Sequence, residues 1–229
     1  MRVRCYARCV PAAGARAAAA ELIGQAAAVG VSLDSGSGEA LLRFEELLRS
    51  KAIVRGLVAS GDAVRLRTRH VLDSLRAAAV VDAGDRSAFD LGSGAGLPGI
   101  PVAIACPQLR VCLVEPKPIK VAFLELVVAE LEIGNVRVLG RRAEELGGEE
   151  PGDLCFARGF APLQRSWRVA RRLLRPEGRL VFFAGARAQT AEPPTGASLA
   201  GVRPPPVLEM PGKPGDLERS GPLVIMSRQ

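Results

Sequence analysis

The chain is short of the side chains on which much enzyme chemistry relies. Its 229 residues include one histidine (His70), one tryptophan and one tyrosine. A single histidine excludes any zinc site needing two imidazoles, the HExxH pattern among them. Nor does His70 make a serine hydrolase, because no GxSxG turn accompanies it. The chain has no uninterrupted apolar run of the roughly 20 residues that a bilayer-spanning helix needs, so no membrane association is expected. Cys5, Cys9, Cys106, Cys112 and Cys155 are odd in number and lack CxxC spacing. They read as reduced thiols serving as small apolar side chains in a cytoplasmic protein, with no metal. Aromatics make up 4% of the residues, which leaves Ala, Leu and Val to fill the core.

Lysine is scarce as well: only Lys51, Lys117, Lys120 and Lys213 contribute to the 31 cations, so the net charge of +7 is carried by arginine. The surplus concentrates between Arg158 and Arg187, where eight arginines face one acid, Glu177. Such a field attracts polyanions, and the guanidinium fork matches phosphate. The Arg- and Ala-rich N-terminus has the composition of a transit peptide, although Arg16 interrupts the apolar stretch a secretory leader would need.

Apolar periodicity predicts helices over 17–29 and 39–50 with a loop at Gly36–Gly38, then a third helix over 62–79 with Asp62 as N-cap. From Ser87 the rhythm changes. Strands are predicted at Ser87–Leu91, Arg110–Glu115, Asn135–Leu139, Leu154–Ala157 and Arg179–Ala184. Between them fall a short helix stopped by Pro107, a helix over 119–132 with Gly134 close behind as its terminator, and a helix at Pro162–Leu174. The proline-rich stretch 188–206 reads as a loop, and Val207–Met210 and Pro222–Met226 as two closing antiparallel strands. The expectation is an α/β protein with a mostly parallel sheet, helices on both faces, a helical N-terminal extension over residues 1–80 and the sheet domain over 81–229.

The informative segment runs from Phe89 to Pro101, Phe-Asp-Leu-Gly-Ser-Gly-Ala-Gly-Leu-Pro-Gly-Ile-Pro. Gly92, Gly94 and Gly96 let backbone approach a ligand, with a strand before them and a helix after. Glu115 lies 23 residues beyond Gly92, at the end of the next strand, where it can accept hydrogen bonds from the two hydroxyls of an adenosine ribose. A pyrophosphate would want free N–H groups at the helix start, and Pro98 and Pro101 each remove one. Asp90 adds an acid that repels pyrophosphate and suits the sulfonium and ammonium of S-adenosylmethionine. The glycine turn therefore favours a methyl donor over a dinucleotide, and with it a class I methyltransferase (Rossmann-like) sheet.

Asp90–Pro101, with Arg69-His70-x-Leu72-Asp73-Ser74 some 15 residues upstream, resembles the bacterial 16S ribosomal RNA guanine-N7 methyltransferases, the glucose-inhibited division protein B family. Phe123-Leu124, Arg142-Ala143-Glu144-Glu145 and Ala157-Arg158-Gly159-Phe160-Ala161-Pro162-Leu163 follow in the family's order, so the resemblance spans about residues 65–185. It implies donor contacts at Gly92 and Leu97, adenine contacts through Ala143 and Glu144, and a binding role for Arg158. Read from their positions alone, Glu144 could equally be a helix-start acid and Arg158 an ion-pair partner. The chain departs from the family at 49–58, where Trp-Asn-Lys and Asn-Leu-Thr are usual. It departs again at Glu115-Pro116-Lys117-Pro118, where Asp-Ser is usual, and at Ala184, where a lysine is usual.

Guanine N7 carries its lone pair and no proton, so no catalytic base is nominated; orientation alone can supply roughly 7–11 kcal/mol. His70 either meets RNA or packs between helices against a carboxylate such as Asp73. Arg165, Arg168, Arg172 and Arg175 are expected to line an outward stripe that binds RNA, opposite Leu163, Trp167, Ala170 and Leu174. The implied partner is 16S ribosomal RNA or the small-subunit particle, met by a monomer. Competing readings are a methyltransferase of small molecules or proteins, an RNA binder that retains the fold without catalysis, and a nicotinamide-dependent oxidoreductase.

Overall fold

The computed structural model describes residues 13–147, 150–185, 193–204 and 220–228. Seven strands form one sheet: β1 (Ser87–Leu91), β2 (Arg110–Val114), β3 (Val136–Leu139), β4 (Gly152–Arg158), β5 (Leu174–Phe183), β6 (Ala197–Arg203) and β7 (Leu223–Arg228). Their spatial order is β3-β2-β1-β4-β5-β7-β6. The first five run parallel, and β7 is antiparallel to both β5 and β6. The helices are α1 (Ala13–Ala28), α2 (Ser35–Leu47), α3 (Asp73–Ala78), α4 (Gly99–Ala105), α5 (Pro118–Glu130) and α6 (Leu163–Leu173).

Because strand side chains alternate between faces, the buried residues sort into two clusters. Ala88, Leu154, Phe156, Val181 and Ile225 pack with α1–α5 on one face. Phe89, Cys155, Ala157, Leu180 and Met226 face α6 and the short 3-10 turn Ala143–Glu145 on the other. Both faces are covered as expected, but unequally. Trp167 of α6 is fully buried and its indole N–H donates to the Thr195 carbonyl at 3.2 Å.

The N-terminal extension is less regular than its periodicity suggests. Gly36 and Gly38 lie inside α2, which starts at Ser35 because the Asp34 carboxylate accepts from the Ser37 N–H at 2.7 Å. A Cβ on Gly38 would come within 2.9 Å of Ile23, so this glycine marks helix contact, not a loop. The helix expected over 62–79 is three segments: a 3-10 helix at Ser60–Arg65, a π-helix at Leu66–Leu72, then α3. Its N-terminal neighbour is Ala59, and the Asp62 carboxylate turns to other partners. Another π-helical stretch, Leu48–Ala52, follows α2.

Two further corrections concern element ends. The chain leaves α5 through Glu132 at φ 54°, two residues before Gly134. Residues 197–203, expected as loop, form β6 and supply the antiparallel partner of β7. The strand expected at Val207–Met210 lies outside the described residues, as do Cys5 and Cys9. Burial raises the pKa of the Cys106 thiol to about 11 and pushes that of Cys155 up as well, so both are inert apolar side chains.

Candidate functional site

The strand order reverses between β1 and β4, since the chain winds outward to β3 before returning beside β1. In open α/β sheets a ligand binds in the crevice beyond the carboxyl ends of the strands at such a point. The glycine turn occupies it. Gly92, Gly94 and Gly96 adopt φ of 68°, 60° and 87°, values that tax any residue carrying a Cβ. The turn is tied down by Ser93, whose N–H donates to the Val114 carbonyl at 3.0 Å and whose hydroxyl donates to the Asp90 carbonyl at 2.9 Å.

Glu115 closes the turn from the end of β2. One carboxylate oxygen accepts from the Gly94 N–H and the other from the Lys117 N–H, both at 3.0 Å. Lys120 Nζ stands 3.8 Å from the same group. Each oxygen keeps a second lone pair, so the carboxylate can hold the turn and still accept from a ligand hydroxyl.

Asp90 is 1% exposed. Its Oδ2 accepts from the Gly99 N–H at 3.1 Å, while its Oδ1 has no partner among the described residues. Burial raises its pKa to about 7, against the opposing hydrogen bonds and the positive field of Arg158. Gly99 is required here, since a Cβ would sit 2.7 Å from Asp90 Oδ2 and against Leu113. The first N–H of α4 is therefore taken by an internal carboxylate. The next, of Ile100, donates to the Gly96 carbonyl at 2.8 Å, and Pro101 has none. A pyrophosphate would find no free donor at this helix start. A buried acid with an unpartnered oxygen, a turn of three positive-φ glycines free of close contacts above Gly94, and a ribose-type acceptor suit a cationic, adenosine-containing ligand such as S-adenosylmethionine.

Leu97 follows the turn and is partly buried against the core. Ala143, 3% exposed, and Glu144 begin the 3-10 turn beyond β3, on the same edge of the sheet. The Glu144 carboxylate meets Arg165 at 2.7 Å, and that hydrogen bond lowers its pKa. Glu144 is thus an ion-pair partner in this structure, leaving its backbone as the group that can serve an adenine.

Arg158 ends β4 and looks inward to the N-terminal extension. It donates to the Arg69 carbonyl at 2.7 Å, the Ser74 hydroxyl at 3.0 Å and the His70 carbonyl at 3.4 Å, and lies 3.3 Å from Asp73. Arg158 is thus the ion-pair partner that its position allowed, with Asp73 as the carboxylate. Asp73 also holds the buried Arg76 at 2.7 Å, and Arg76 donates onward to the Gly221 and Arg203 carbonyls. The Arg69–Ser74 motif is in this way a clasp joining the extension, β4 and the β6–β7 hairpin. Its partners lie more than 80 residues apart in sequence, out of reach of any local pattern. Beside Arg158, the Phe160 ring covers the turn: a Cβ on Gly92 would lie 2.9 Å from it.

His70 packs between segments and bonds a carboxylate, but that carboxylate is Asp62 at 3.1 Å and not Asp73. Burial, and then Arg158, lowers the imidazole pKa, so it is neutral at pH 7. The expected arginine stripe on α6 is largely engaged. Arg165 is held by Glu144, and Arg172 donates to the carbonyls of Glu144 and Leu146. Arg175 lies beyond the helix, in β5, paired with Asp153. Asp153 in turn caps the N–H groups of Arg86 and Ser87 at the start of β1, so Arg175 stands at the opposite edge of the sheet from the glycine turn. Only Arg168 and Arg171 on this helix are exposed with no partner among the described residues. The described residues hold no group of His, Cys, Asp and Glu suited to a metal, and no helix among them is long and apolar enough to cross a membrane.

Comparison with known proteins agrees with this geometry. The profile of the GidB family, described as rRNA small subunit methyltransferase G, matches residues 37–195. Ribosomal RNA small subunit methyltransferase G of Nocardioides sp. is 41% identical over 170 residues, 73% of this chain and 68% of its own. The protein of that name from Stenotrophomonas maltophilia strain K279a is 40% identical over 188 residues, 81% and 86% of the two chains. Among solved structures, a SAM-dependent methyltransferase from Aquifex aeolicus superposes with a TM-score of 0.53 at 14% identity, covering 78% of this chain and 97% of its own. M. jannaschii TYW2 in complex with AdoMet gives 0.53 at 13% identity, covering 70% and 75%. At those identities the likeness is one of fold.

Proposed function

The chain belongs to the GidB family, rRNA small subunit methyltransferase G, and we propose on that premise that it transfers a methyl group from S-adenosylmethionine to guanine N7 of 16S ribosomal RNA. The observation that carries the reading is the pairing of Asp90 and Glu115 around the glycine turn. One acid is buried with an oxygen to spare, and the other grips the turn with lone pairs left over.

The donor supplies an electrophilic methyl on a sulfonium. The chain's part is to bind and orient. Glu115 accepts the ribose hydroxyls and fixes Gly94, and Asp90 balances the donor's positive charge from beneath the turn. Gly92 and Leu97 line the donor, and the backbone of Ala143 and Glu144 meets the adenine. Arg158 positions the Arg69–Ser74 segment beside the turn and adds a positive charge there for the donor's carboxylate. The acceptor nitrogen needs no deprotonation, so no residue is required as base, and the reduction in barrier comes from alignment. The target base must leave its stack or lie in a single strand to reach the turn. One chain carries all these groups, so a monomer suffices, and an rRNA substrate puts the reaction in the cytoplasm.

Calorimetric titration tests the donor assignment. Wild-type protein binds S-adenosylmethionine, Glu115→Ala weakens it at least tenfold, and NAD gives no heat. Binding of NAD with silence toward the methyl donor would overturn the reading.

A further inference from the structure

The resemblance and the arginine-rich helix α6 both leave open which face receives the RNA. The N-terminal extension offers one. Residues 49–70 carry Arg49, Lys51, Arg55, Arg65, Arg67 and Arg69; Glu45 of α2 holds Arg49 and Arg67, each at 3.0 Å, and the stretch itself has a single acid, Asp62. That acid is already shared among Arg65, Arg69 and His70 at 3.1, 3.4 and 3.1 Å. Arg49 donates to the Ala63 carbonyl at 2.9 Å, which draws the stretch after α2 and the 3-10 helix together into one surface. On it stand two exposed valines, Val54 at 79% and Val64 at 91%, the most exposed large apolar side chains of the described residues.

This surface borders the candidate site. Arg158, at the end of β4, grips the backbone of Arg69 and His70, and Phe160 two residues later lies over Gly92. Segments 48–52 and 66–72, which flank the valines, are both π-helical, a geometry that recurs at functional sites. The α6 stripe by contrast runs from Arg165 toward Arg175, whose partner Asp153 caps the start of β1 at the far edge of the sheet, away from the glycine turn.

We propose that single-stranded RNA docks on the extension, with Lys51 and Arg55 taking phosphates and Val54 and Val64 packing against unstacked sugars and bases. The proposal rests on the methyltransferase reading for its target, but not for its chemistry. A protein partner fits poorly, because protein interfaces exclude charge from their core and here cations surround the apolar pair. A duplex fits poorly too, since its bases are stacked away from side chains, whereas unpaired nucleotides expose apolar faces.

The test is titration of a short fluorophore-labelled single-stranded RNA, without methyl donor, over a range of salt. A single-strand phosphate contact contributes about 0.7 to the slope of log affinity against log salt, so Lys51→Ala/Arg55→Ala lowers the slope by about 1.4. Val54→Ser/Val64→Ser weakens binding severalfold at an unchanged slope, because apolar contact releases no counterions. Arg168→Ala/Arg171→Ala leaves both unchanged. A slope that falls only in the α6 variant, or a valine variant that binds as wild type does, overturns the assignment. Because no donor is present, failure of methyl transfer would leave this result standing, and failure here would leave the donor site untouched.

Discussion

Replacing Asp90 by Asn removes a titration that the fold makes costly. The carboxyl group has a pKa of about 7 in the folded chain and about 3.9 when unfolded. A raised carboxyl pKa means that the native state binds the proton more tightly than the unfolded chain does. Its stabilising effect is therefore complete below about pH 4 and is lost as pH rises through 7. Three units at about 1.4 kcal/mol each amount to roughly 4 kcal/mol between those limits. Asn keeps an oxygen for the Gly99 N–H and cannot ionise. Urea denaturation of both proteins from pH 4 to 8 should show the variant gaining on wild type by up to about 1.4 kcal/mol per unit and levelling off above 7. The same carboxylate should attract the cationic donor only when ionised. Wild-type affinity for S-adenosylmethionine then falls by up to tenfold per unit below pH 7, while Asp90→Asn binds weakly at every pH. Parallel stability profiles for the two proteins would refute the argument.

Other substitutions probe the neighbouring parts. Gly92→Ala meets both the left-handed backbone and the Phe160 ring, so it should cost about 2–3 kcal/mol in a denaturation midpoint and most of the donor affinity. Phe160→Ala in the same chain should return part of that stability. Arg158→Ala strips donors from two carbonyls and leaves Asp73 with Arg76 alone, for a loss of about 3 kcal/mol; a loss below about 1 would mean that the clasp is not structural. The His70 pKa lies below its unfolded value, so the stability it contributes is present above about pH 6.5 and lost on acidification. His70→Gln should accordingly flatten the acid limb of the stability curve.

The sheet was legible because its strands are short buried runs bounded by turn residues; both ends of β1 fall where expected, and β2 starts where expected and stops one residue earlier, at Val114. The glycine turn and Glu115 were legible for a related reason: ligand-facing backbone demands glycine, and the second strand delivers the residue just after its end to the same crevice. What escaped depends on distant partners. The exposed strand β6, with Leu199 46% exposed, presents no apolar face, is flanked by prolines and exists through pairing with β7. Gly36 and Gly38 look like a loop until Asp34 is seen as a cap and Ile23 as the neighbour that forbids a side chain. Arg165 of α6 and Arg175 of β5 look free in sequence because Glu144 and Asp153, which engage them, lie about 20 residues away.

Methyl transfer itself is the most direct test. Purified protein incubated with S-adenosylmethionine and small-subunit particles or 16S rRNA lacking the modification should yield N7-methylguanine on nucleoside analysis by mass spectrometry. The yield should collapse with Glu115→Ala. Tight donor binding with no methylated guanine in either RNA form would contradict the account and leave a protein that keeps the donor fold without the reaction.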